Sequence, residues 1–70
     1  MKVFVLLEYK KDDVTIRLAR CADNSYVVIN GEQISYHSDY EWALADYYED
    51  IALNSEAVNY ITSPDEYITI

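Results

Sequence analysis

Seventy residues carry thirteen carboxylates against five Lys and Arg, giving a net charge of −8, with 51% apolar side chains and a single cysteine. That length makes one domain, spanning 1–70, near the lower limit at which a core suffices without disulfide or metal, and the apolar content argues against disorder. So acidic a surface is repelled by nucleic-acid phosphates and anionic lipid and drawn to basic protein surfaces, while one cysteine excludes an internal disulfide and fits a reducing compartment.

The first segment, residues 2–9, is β-branched and aromatic. Its apolar run stops within the segment, too short for an export signal or a membrane span, so a cytoplasmic protein is expected. Strict alternation puts Val3, Val5, Leu7 and Tyr9 on one face and Phe4 and Leu6 on the other, which predicts a strand covered on both sides or central in the sheet. A polar turn at 10–13 leads into Val14, Ile16 and Leu18, which alternate with Thr15, Arg17 and Ala19, and the two segments should pair as an antiparallel hairpin. Cys21 reads as a small strand residue.

A second turn at 22–25 precedes another hairpin. Asn30-Gly31 is the strongest short hairpin signal in the chain, because both residues tolerate the positive φ of a type I′ turn. Counting outward from it pairs Ile29 with Glu32 and Val27 with Ile34. Val27, Ile29 and Ile34 then share a core-facing side, and Tyr26, Val28, Gln33 and Ser35 share the other.

Residues 38–53 carry a complete helix signature. Ser38 is the expected N-cap, Glu41 completes a capping box, and the helix should begin at Asp39. At 100° per residue, Tyr40, Ala43, Leu44, Tyr47, Tyr48 and Ile51 form an apolar arc, while Asp39, Asp46, Glu49 and Asp50 gather opposite. Asn54 and Ser55 offer an exit. Trp42 and Leu53 break the pattern by projecting from the acidic side; a Trp there is either covered, with the C-terminal segment as the favoured cover, or serves as a partner's anchor. Beyond the helix, 57–62 alternates as a strand, and Ser63-Pro64-Asp65-Glu66 reads as a turn into a short last strand at 67–70.

The assembled fold is α+β: a small antiparallel sheet of four N-terminal strands in two hairpins, one helix packed on a face, and a short C-terminal strand or hairpin. Chemistry is thinly represented. The only His and Cys, His37 and Cys21, fall on separate elements, and no serine elbow, zinc spacing, calcium loop or glycine-rich phosphate cradle is present. The carboxylate pairs Asp12-Asp13, Glu49-Asp50 and Asp65-Glu66 are adjacent in sequence, and on a helix adjacent side chains diverge by about 100°. No enzyme activity, metal or cofactor is expected. Eight tyrosines can serve both a small core and a recognition surface; core packing is expected for most of them, with Tyr26 and Tyr48 the expected partly exposed members.

The expected function is a small acidic inhibitor that occupies a basic, normally nucleic-acid-binding surface of another protein. Carboxylates four residues apart on a helix stand about 6 Å apart along its axis, comparable with backbone phosphates. Asp39, Asp46, Glu49 and Asp50, extended by Glu56, would form a phosphate-like row, with Trp42 and Leu53 as anchors. In general character the chain resembles phage or mobile-element inhibitors of restriction, CRISPR or transcription machinery, without a matching family motif. Direct nucleic-acid or membrane binding is not expected. Two alternatives are a homo-oligomeric structural or accessory subunit joined through an exposed sheet edge or the Trp42 patch, and an antitoxin or immunity protein.

Overall fold

The alternating segments pair in chain order. In the computed structural model, which describes residues 1–52 and 57–70, the strands are β1 (Lys2–Lys11), β2 (Val14–Cys21), β3 (Tyr26–Asn30) and β4 (Gln33–His37). The helix α1 (Tyr40–Ile51) follows, then a 3-10 turn (Ala57–Tyr60), β5 (Ile61–Thr62) and β6 (Glu66–Thr69). Every pairing is antiparallel, in the order β4-β3-β2-β1, and the far edge of β1 is shared by β5 opposite Glu8 and Tyr9 and by β6 opposite Lys2 to Val5. β1 is thus an internal strand with neighbours on both edges, and the architecture is the α+β one that the pattern implies.

One extra residue decides how the sheet is filled. The β1–β2 register steps from Val5↔Ala19 to Leu7↔Leu18, leaving Leu6 as a bulge. Val3, Val5, Leu7 and Tyr9 therefore do not share a face as strict alternation predicts. Leu7 and Tyr9 join Ile16, Leu18 and Val28 beneath Ala43, Tyr47 and Ile51 of the helix. Val3 and Val5 turn to the opposite face with Ala19, Cys21, Val27 and Ile29, closed by Ile68 and Ile70. A single sheet thus supports two cores.

Turn chemistry explains the connections. Asp12 and Asn24 take φ of 54° and 68° in the first two turns, a conformation that Asn and Asp adopt at modest cost. The Asp23 carboxylate accepts hydrogen bonds from the Ser25 amide (3.0 Å) and hydroxyl (2.6 Å), which hold its pKa below the usual carboxylate value. In the β3–β4 hairpin the loop is Gly31-Glu32 rather than Asn30-Gly31: Asn30 pairs with Gln33, Ile29 with Ile34 and Val27 with Tyr36. Positive φ (62°) occurs at Gly31 and not at Asn30, as in a type II′ turn. The register has slid by two residues, an even number, so every residue keeps its face.

The helix begins one residue later than the capping box implies. Asp39, not Ser38, is the N-cap, and its carboxylate accepts the Glu41 amide at 3.2 Å. After the helix, residues 57–60 form the 3-10 turn instead of the strand expected there, and only Ile61 and Thr62 pair with β1. Glu66 to Thr69 form the expected last strand, beyond Asp65 at φ 51°. Its neighbour is β1, so the C-terminal segment is committed to the sheet and Trp42 remains 71% exposed. Among the described residues no helix is long and apolar enough to cross a membrane.

Candidate interaction face on the helix

Ala43, Tyr47 and Ile51, one helical turn apart, are the buried row of α1, with Leu44 half-buried beside them. The buried part of the apolar arc is smaller than periodicity implies, because Tyr40 points the same way but stands at the helix's first residue and Tyr48 sits at the margin of the arc, 39% and 44% exposed. Tyr40 leans on Tyr26 at 5.3 Å between ring centroids and Tyr48 on Tyr47 at 5.6 Å, both edge-on. Rotating about half a turn from the buried row reaches Trp42, Ala45 and Glu49, with Glu41 beside them, all exposed. This is the outward face.

The carboxylates singled out in the sequence divide into three settings. Glu49 stands on the outward face with Trp42. Asp46 and Asp50 lie on the flank that overlooks the β3–β4 hairpin: Asp46 meets His37 Nε2 at 2.8 Å with its side chain 27% exposed. Asp50 is raised above the ordinary carboxylate pKa by partial burial and then by the charges of Asp46 and Glu49, against a hydrogen bond from Asn30. Asp39 is occupied as the N-cap. Leu53 and Glu56 lie outside the described residues. Glu41, assigned to a capping box in the sequence, makes none with Asp39 as the N-cap: its amide donates to the Asp39 carboxylate, and its own exposed side chain points about 100° away from Trp42.

Helix electrostatics make this arrangement unusual. Asp46, Glu49 and Asp50 crowd the C-terminal half of α1, where the backbone dipole favours cations, and no basic residue occupies the last turn. For Glu49 and Asp50, which lie in the last turn, this costs on the order of 0.3–1 kcal/mol each. The cations sit on β1 and β2 instead. Lys2, Lys11 and Arg20 lie over the rings of Tyr67, Tyr60 and Phe4 at 5.0, 5.0 and 5.6 Å, and Arg17 Nε donates to Glu8 at 2.7 Å. A cavity of about 310 Å³ lies among Lys2, Phe4, Arg20, Asn24 and Tyr67. All five cations are thus carried by β1 and β2, and the charged residues of α1 are all carboxylates. No protein family, characterised protein or solved structure shows significant similarity to the chain.

Proposed function

We propose that this chain is a non-catalytic docking protein that lays the outward face of α1 on a basic protein surface of the kind that normally holds nucleic acid. The observation that carries the reading is Trp42, 71% exposed on a helix that also exposes Glu41 in its first turn and Glu49 in its last. An indole in that position contributes nothing to the protein's own core, and in an interface it supplies the large anchor around which polar contacts are arranged. Glu49, in the last turn, opposes the helix dipole, so it weakens the fold locally while matching a cationic target. The partner is therefore a basic groove, as an anti-defence role for so small and acidic a chain would require.

Capture from source-cell extract at low salt, with mass spectrometry of the recovered proteins, supplies the partner for a direct titration. The expected partner has a basic groove, loses affinity at least tenfold for Trp42→Ala, about 1.4 kcal/mol, and is released by a competing oligonucleotide. A partner that binds Trp42→Ala and Glu49→Lys as tightly as the parent chain, and that ignores the oligonucleotide, overturns the reading.

A further inference from the structure

Strand β4 ends the sheet, and Gln33, Ile34, Ser35 and Tyr36 on it are exposed. Natural edge strands are guarded by lysine, proline or a bulge. This one holds none of these, nor any Asp, Glu or Arg, in a chain of net charge −8. Two large apolar side chains, Ile34 (40% exposed) and Tyr36 (58%), stand on the face that carries the second core.

The hairpin fixes which backbone groups are available. The two-residue turn joins Asn30 and Gln33 by its closing hydrogen bond, so the alternation of an antiparallel ladder makes Asn30↔Gln33, Val28↔Ser35 and Tyr26↔His37 the bonded pairs. Ile34 and Tyr36 consequently point their N–H and C=O groups away from β3, toward the open edge. An antiparallel neighbour bonds to those two residues. If the neighbour is a second β4 related by a two-fold axis at Ser35, Ile34 of each copy lies opposite Tyr36 of the other. Both pairs are bonded ones, each exchanging two hydrogen bonds, and aromatic–β-branched pairs of this kind are favourable across strands. No charged groups face each other.

We infer that β4 is a self-complementary edge through which two copies of this chain join in a closed dimer, with the axis at Ser35 and a continuous sheet across the junction. The axis runs through the sheet rather than along it, so both α1 helices lie on the same face and the dimer presents two Trp42 faces side by side. The interface shares no residue with the outward face of α1, so docking and dimerisation succeed or fail independently.

At the axis, Ser35 and its copy form a non-bonded pair with Cα atoms about 4.5 Å apart, inside the range a disulfide spans. In a Cys21→Ala background, Ser35→Cys should oxidise to a cross-linked dimer, whereas Gln33→Cys should not, because its copy lies about 13 Å away along the strands. Sedimentation of the parent chain should show a monomer–dimer equilibrium. Ile34→Lys, at an exposed position, should weaken that equilibrium by about a hundredfold, since each substitution is felt twice across the axis. Added salt should tighten it by relieving repulsion between two acidic chains. A parent chain that stays monomeric at millimolar concentration, equal cross-linking at both cysteines, or growth into open assemblies instead of dimers would each overturn the proposal.

Discussion

Tyr47 is fully buried, yet its hydroxyl has no hydrogen-bond partner among the described residues, and burial, with Tyr48 and Glu8 adding to it, pushes its pKa well above the usual phenol value. The ring fills the space between α1 and the sheet; the oxygen is desolvated without return. Removing only the oxygen should therefore stabilise the fold, and Tyr47→Phe is expected to gain about 1 kcal/mol, or several degrees in melting temperature for a domain this small. Unchanged or lowered melting would show that the hydroxyl is satisfied. Asp50 gives the complementary test through pH. Its folded pKa is raised, first by partial burial and then by Asp46 and Glu49, so the folded state holds its proton more tightly than the unfolded state does. Stability contributed at this site is present at low pH and is lost as pH rises from the unfolded value through the raised folded one. Asp50→Asn keeps the neighbourhood of Asn30 while deleting the charge, so it should melt higher than the parent at neutral pH and flatten the acid side of the pH–stability curve. Equal curves for the two proteins would remove Asp50 as a source of strain.

Among the elements, the strands and the helix were legible because period 2 and period 3.6 are written plainly in 2–9, 14–19 and 40–51. What was not legible followed from events of a single residue. Nothing in the composition of β1 distinguishes Leu6 from its neighbours, so the bulge that sends Val3 and Val5 to one core and Tyr9 to the other appears only once β2 is paired. At the β3–β4 turn Asn30-Gly31 and Gly31-Glu32 both contain the residue that accepts positive φ, and the II′ alternative won. At the helix start Ser38 and Asp39 are both good caps, and the later one took the role. The candidate face was half legible. Periodicity put Trp42 and the carboxylates opposite the core, but the pairing of Asp46 with His37 depends on where β4 lies, which no local pattern encodes. The helix also carries a prediction in which two readouts diverge. Trp42→Ala should leave melting within about 0.5 kcal/mol of the parent, as expected for an exposed side chain. Glu49→Lys should raise stability, because it puts a cation in the last turn and beside Asp46 at i−3, while weakening binding to a basic partner. If stability and binding fall together in Glu49→Lys, the carboxylate belongs to the fold rather than to the interface.

At the scale of the whole molecule, charge separates along the chain. All five Lys and Arg residues precede Cys21, and three of the thirteen carboxylates, Glu8, Asp12 and Asp13, share that stretch, which leaves ten carboxylates and no Lys or Arg in the remainder. In space this puts the cations on β1 and β2, where three of them lie over aromatic rings and Arg17 pairs with Glu8, so little of the positive charge is placed to offset α1. Salt then acts with opposite sign on different properties of one protein. Screening relieves repulsion among Asp46, Glu49 and Asp50 and within the net −8, so the melting temperature of the free chain should climb with ionic strength. Docking on a basic groove should weaken over the same range, because attraction between unlike charges is what screening removes. Melting curves and partner titrations in a single salt series decide the matter. Melting that rises while affinity falls identifies the acidic helix as an element kept at the expense of stability, whereas melting that falls with salt would mean that its carboxylates are held by favourable pairs within the fold.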